Sequence, residues 1–145
     1  MPKISLTPEA LQKEMHAFSE KLRNANKNFE HAANLTPGCS ERERVFSIGN
    51  VGLYHYKPLA KNTNTTPLLL VYALVNRAEM ADLQKDRSLI RSLLEQGLDI
   101  YLIDWDYPTG ADRLRSLDDY INRYIGGCVD HLRVSHDIDA VNLLG

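Results

Sequence analysis

Leu68-Leu69-Leu70-Val71-Tyr72-Ala73-Leu74-Val75 is an unbroken apolar run of strand length, and Leu98-Asp99-Ile100-Tyr101-Leu102-Ile103-Asp104-Trp105 repeats the theme further along. Continuity of apolar residues, rather than alternation, marks a strand covered on both faces, as in a parallel sheet flanked by helices. Between the two runs, Asp86-Arg87-Ser88-Leu89-Ile90-Arg91-Ser92-Leu93-Leu94 places apolar pairs four apart, the stripe of a helix, and Gly97 stands where a helix commonly ends. Pro108 and Gly110 punctuate the end of the second run. A second helix is then expected. Ser116 and Asp119 form an acidic variant of the capping box, and Tyr120, Ile121, Tyr124, Ile125, Cys128, Val129 and Leu132 follow as a continuous helical stripe. Gly126-Gly127 interrupts it, at about 1 kcal/mol per glycine relative to alanine, and suits a close approach to a strand. Ala140-Val141-Asn142-Leu143-Leu144-Gly145 reads as a third parallel strand. Strands alternating with helices argue for a parallel sheet with right-handed crossovers.

Upstream, Arg44 to Gly49 and Val51 to Lys57 are β-like runs joined at Gly49-Asn50, the signature of a hairpin, with Leu53 and His55 on one face and Tyr54 and Tyr56 on the other. Lys61 to Pro67 is a polar surface loop. The chain opens with an amphipathic helix. Thr7 suits its cap and Pro8 its first position, and Leu11, Met15, Phe18, Leu22 and Phe29 fall near one face. It is expected to fade near Asn34, ahead of the breaker Thr36-Pro37-Gly38. Packing on a partner and packing at home are both open for this stripe. The organisation is therefore an N-terminal helix over residues 1–36 and an α/β core over residues 37–145.

Composition excludes several classes. The 145 residues are 43% hydrophobic and 25% charged with a formal net charge of -2, so neither a nucleic-acid partner nor an anionic membrane is expected. The start shows no apolar signal region, and the longest apolar run is far short of the roughly 20 residues of a transmembrane helix. A cytoplasmic location with reduced thiols is the expectation. The two cysteines make neither a disulfide framework nor a zinc motif, and no metal or cofactor is expected.

Several motifs, taken in order, resemble one family. They are Leu70-Val71-Tyr72-Ala73-Leu74-Val75-Asn76-Arg77, Asp82-Leu83-Gln84-Lys85-Asp86-Arg87-Ser88-Leu89, Gln96 to Trp105, Leu117-Asp118-Asp119-Tyr120-Ile121 and Val141-Asn142-Leu143-Leu144-Gly145. Their order and spacing from about Gly52 to Gly145 resemble the catalytic subunit of class III polyhydroxyalkanoate synthases, members of the α/β-hydrolase superfamily. The resemblance implies the N-terminal part of an α/β-hydrolase fold: N-terminal helix, β-hairpin, then a parallel βαβαβ unit, truncated before the nucleophile elbow. In that family the last strand leads into a box Gly-x-Cys-x-Gly-Gly, whose first glycine matches Gly145. The nucleophilic cysteine is then expected two positions beyond Gly145, and the Asp and His of the triad further on. The implied activity is polymerisation of 3-hydroxyacyl-CoA thioesters with release of CoA. The implied partners are a second synthase subunit and the polyester granule surface, with the protein cytoplasmic and granule-associated. The oxyanion of such a reaction needs backbone N–H donors, one of them from the loop after an earlier strand. That loop begins at Val75 and Asn76, the candidate site residues of this chain.

Other residues carry plainer readings. Cys128 on the apolar stripe is expected to be a core thiol, and Cys39, in a Gly-Ser turn, incidental. Asp104 and Asp106 at a strand end are read first as turn or capping residues. Arg77 is a surface partner of Glu79 or Asp82, with a coenzyme A phosphate as the alternative. His131 and His136 do not share a helical face, which argues against a metal site. Tyr120, Tyr124 and Trp105 belong to the core. Two further functions stay open: a piece of an esterase or lipase, and a non-catalytic module that docks a partner or a granule through its N-terminal helix.

Overall fold

The computed structural model describes residues 8–33, 38–61 and 64–145. The chain divides into two compact units, 1–35 and 36–145. In the first, α1 spans Pro8–Ala33, with Pro8 and Glu9 in its first turn. Met15, Phe18 and Leu22 are exposed. Thr7, the side chains of Leu11 and Phe29, and the expected end at Asn34 to Pro37 lie outside the described residues.

The second unit is built on a five-stranded mixed sheet. The hairpin is β1 (Arg42–Ile48) and β2 (Val51–Tyr56), turning at Gly49-Asn50. β3 is Leu68–Leu70, β6 Ile100–Asp104 and β7 Asn142–Leu144; a small separate ladder pairs β4 (Asp82–Gln84) with β5 (Arg87–Ser88). The order across the main sheet is β1-β2-β6-β3-β7, with β3 parallel to both β6 and β7 and β2 antiparallel to β6. This is a partial α/β fold, the class expected.

The alternation of side chains along each strand feeds two cores. Leu53, Leu69, Tyr101 and Ile103 point to the face covered by Tyr124, Cys128 and Leu132. Tyr56, Leu70, Ile100 and Leu102 point to the opposite face, against Ile90 and Leu94 of α2 (Leu89–Glu95). Each fully buried aliphatic side chain contributes about 1.5–3 kcal/mol, so the two continuous runs are what hold the layers together. α2 ends in a Schellman motif: Leu98 N–H donates to Leu93 O, Gly97 N–H to Leu94 O, and Gly97 takes φ +83°, which a side chain would resist. On the other face the helix α3 (Gly126–His136) lies so close to β1 that a Cβ on Gly127 would sit 2.4 Å from Ile48 Cδ1. Of the two glycines, Gly127 therefore serves close approach.

Four expectations need correction. The run Leu68 to Val75 is a strand only at Leu68–Leu70. Its ladder partners run out after the Val71 N–H, which donates to Leu144 O at 2.8 Å. Ala73 and Leu74 then turn outward, and Val75 is 92% exposed. The helix expected from Asp86 begins at Leu89, because Arg87-Ser88 pair with β4 and Ser88 Oγ accepts the Arg91 N–H as N-cap. The helix after Ser116 has its capping box, with Ser116 N–H donating to Asp119 and Asp119 N–H to Ser116 Oγ. It continues as a π-helical stretch, Asp119–Ile125, before α3. That wider turn rotates Ile121 off the stripe, leaving it 51% exposed. Finally, the third strand is Asn142–Leu144, not all of Ala140 to Gly145, and as an edge strand it stays exposed.

Candidate functional site

At the carboxyl ends of β3 and β6 lies an open cleft of about 330 Å³, walled by Tyr72, Val75, Asn76, Arg77, Asp104 and Tyr107 among others. Ligands in open α/β sheets gather at such strand ends. Residues 73–76 form a tight turn in which Asn76 N–H donates to Ala73 O at 3.1 Å. Val75 stands at its tip. β7 ends beside the same turn, since Leu144 O accepts from Val71, and a Cβ on Gly145 would lie 3.4 Å from Val71 O.

The floor of the cleft is a polar network. Tyr72 Oη donates to Asp104 Oδ1 at 3.3 Å, and Tyr72 O accepts from Trp105 Nε1 at 2.9 Å. Arg42 Nη2 donates to Asp104 Oδ2 at 3.3 Å and lies 3.9 Å from Glu79. The Arg42 guanidinium also rests 4.4 Å over the Tyr54 ring. Asp104 Oδ1 further accepts the Asp106 N–H at 3.2 Å, an aspartate turn that holds Asp106 at φ +56°. Burial and the Asp104 charge push the Tyr72 phenol up to about 12. Arg77 Nε lies 3.9 Å from Glu79 and its guanidinium 5.0 Å from the Tyr107 ring centroid. Its surface partner is Glu79. Asp82 is engaged elsewhere.

Asp82 is wholly buried. Its carboxylate accepts from Ser88 Oγ, the Ser40 N–H, Ser40 Oγ and Cys39 Sγ. Burial alone would raise its pKa, but these hydrogen bonds outweigh burial and hold the carboxyl below its ordinary value. Cys39 is therefore not incidental: it is half-buried, and burial with the Asp82 contact raises its thiol. Cys128 is buried and pushed up to about 11 by burial alone, an inert core thiol as expected.

At the other end of the sheet His55 Nε2 donates to Asp99 Oδ1 at 2.7 Å, and its ring stacks on Tyr101 at 4.3 Å. Tyr101, pushed up to about 12 by burial and the Asp99 charge, is hydrogen-bonded through its hydroxyl to His136 Nε2 at 2.8 Å. His131 instead stacks on Phe46. Among the described residues no group of His, Cys, Asp and Glu side chains is placed to hold a metal ion. Nor is any helix there long and apolar enough to cross a membrane.

The structure thus brings Val75, Asn76 and Gly145 to one end of the sheet with Asp104, Asp106 and Arg77. Sequence reading missed Tyr72 in the cleft wall, Arg42 bonded behind it to Asp104, and the Asp82 and Asp99 clusters. A tyrosine inside an aliphatic run was the available signal, since a buried phenol usually finds a partner.

No family model matches the chain. Its sequence is 49% identical over 98% of its length to the poly(3-hydroxyalkanoate) polymerase subunit PhaC of Allochromatium vinosum. It is 47% identical over 100% of its length to the PhaC subunit of Thiocystis violacea, and 42% identical over 83% to that of Haloferax mediterranei. The chain spans 41% of the length of the first two relatives and 25% of the third. Similarity of this degree over nearly every residue of the chain, on a partial α/β fold, assigns it to the PhaC family of poly(3-hydroxyalkanoate) polymerase subunits.

Proposed function

We propose that the chain is the scaffold portion of an acyltransferase that polymerises 3-hydroxyacyl-CoA thioesters with release of CoA, and that alone it is inactive. No Gly-x-Cys-x-Gly-Gly box occurs in the 145 residues. On this reading the box starts at Gly145 and brings the nucleophilic cysteine two positions later, with the triad's Asp and His supplied from further sequence. The observation that carries the reading is the meeting of β7 with the turn after β3: Val71 N–H donates to Leu144 O, and Gly145 lies against Val71 O. The triad's His takes the proton of the cysteine presented just past Gly145; its thiolate attacks the thioester carbonyl, the charge moves to the carbonyl oxygen, and collapse of the tetrahedral species breaks the bond to CoA, whose sulfur takes that proton back from the His and leaves as a thiol. The transient oxyanion needs fixed N–H donors. Of the two candidates, Asn76 already donates to Ala73, so Val75 N–H is the donor we assign, with Asn76 holding the turn. No cofactor enters this chemistry.

The whole enzyme acts in the cytoplasm at the surface of a polyester granule, with a second synthase subunit as partner. The exposed Met15, Phe18 and Leu22 of α1 favour that helix as the docking element. The test is CoA release from 3-hydroxybutyryl-CoA. The 145-residue chain is expected to release none, and a polymerase carrying this segment through the complete box is expected to turn over. Turnover by the 145 residues alone overturns the inactivity. Hydrolysis without polymer from the longer protein favours an esterase instead.

A further inference from the structure

We infer that Tyr72 and Asp104 are positioning residues that hold the Ala73–Asn76 turn in register with the end of β7; the inference rests on the acyl-transfer reading only for its catalytic consequence. The turn has little to hold it from within. Its single internal backbone bond is Asn76 to Ala73, and its tip residues Leu74 and Val75 are 48% and 92% exposed, so apolar burial contributes almost nothing to its shape. A donor amide aimed at a developing charge must nevertheless be fixed before the reaction, and a misplacement of about 1 Å can cost 100-fold.

The rigidity comes from the base of the turn. Tyr72 is tied at both its backbone and its side chain to the neighbouring strand end: its carbonyl accepts the Trp105 indole N–H, and its hydroxyl donates to Asp104. The Trp105 N–H adds a longer contact of 3.4 Å to the same hydroxyl. Asp104 is itself immobilised from two further directions, by Arg42 of β1 and by the Asp106 N–H. One residue earlier, Val71 is bonded to Leu144 of β7. Residues 71 and 72 thus clamp the turn between β7 on one side and β6 on the other. The phenol keeps its proton throughout the neutral range, so it always has a hydrogen to give the carboxylate.

Two measurements test the clamp. In the 145-residue chain, Tyr72→Phe removes one hydroxyl and leaves the ring. Amide hydrogen exchange at Asn76 is expected to accelerate roughly 10-fold, because the turn opens locally, while β6 amides keep their protection. Equal acceleration at both places means general destabilisation and overturns the clamp, as does no change at Asn76. In the polymerase carrying this segment, Tyr72→Phe and Asp104→Asn are each expected to lower kcat for 3-hydroxybutyryl-CoA roughly 10-fold with KM held within about twofold. The double variant is expected to be little worse than the stronger single one. A rise in KM with kcat intact, or additive losses, overturns the positioning role. If the unmodified polymerase releases no CoA, the acyl-transfer reading fails, and the exchange experiment still decides the clamp.

Discussion

β6 is bracketed by two aspartates in opposite surroundings. Asp99, just before its amino end, is only 8% exposed; it takes His55 directly, with His136 3.9 Å away and bonded to Tyr101. Asp104, at its carboxyl end, borders an open cleft and joins Arg42, Tyr72 and the Asp106 amide. The same side chain at the two ends of one strand closes the base of the sheet and shapes the rim of an open cleft. A carboxylate sealed among its partners contributes mainly stability. One that organises a loop beside open space contributes geometry, which shows in turnover more than in unfolding.

Substitutions at the two ends should separate these roles. Asp99→Ala leaves His55 without its partner, while His136 keeps its bond to Tyr101, and is expected to cost about 2–3 kcal/mol in urea unfolding; a loss below about 0.5 kcal/mol would erase the contrast. Asp82 provides a reference away from both ends. Its carboxyl is depressed below the ordinary 3.8 in the folded chain. The stability it contributes is therefore fully present above that value and drains away as pH falls through the lower folded value. Asp82→Asn is expected to cost about 2 kcal/mol at neutral pH and to flatten the acid limb of the stability profile, measured by thermal unfolding from neutral pH downward. An unchanged acid limb would move the titration elsewhere. Asp104→Asn keeps the shape of the side chain but loses its charge and one of the two oxygens that accept from Tyr72, Asp106 and Arg42; beside an open cleft its stability cost is expected to be smallest, about 1 kcal/mol. A loss larger than that of Asp99→Ala would invert the comparison. Last, alkylation by iodoacetamide at neutral pH should reach Cys128 only on unfolding, because that thiol is buried and raised to about 11. Rapid native-state modification would show that the face under α3 opens.

Much of the architecture was legible because burial leaves a mark on composition. Leu68-Leu69-Leu70 and Ile100 to Ile103 had to be covered on both faces, and α2 and α3 cover them. Gly97 and the Ser116-Asp119 box announced their helix ends through local hydrogen bonding. The length of β3 was not legible, since hydrophobicity says that Ala73 to Val75 favour an apolar setting but not that a neighbouring strand continues beside them. Nor was the Asp82 cluster: Ser40 and Ser88 meet it across 42 and 6 residues of chain. The π-helical stretch escaped because a single extra residue in a turn leaves the stripe almost unaltered.

The candidate site divides along the same line. Order and spacing of motifs led to the family resemblance, and it was the resemblance that implied Val75 and Asn76 and Gly145 as the first glycine of the box. The motifs behind the resemblance are local in sequence, so residue type and spacing suffice to recognise them. Only the tertiary structure decided that Asn76 spends its amide on Ala73, that Tyr72 and Asp104 meet across 32 residues, and that Arg42 of the hairpin completes their network. Those contacts depend on how β1, β2, β6, β3 and β7 line up in register, and register is set by the whole sheet at once rather than by any segment of it.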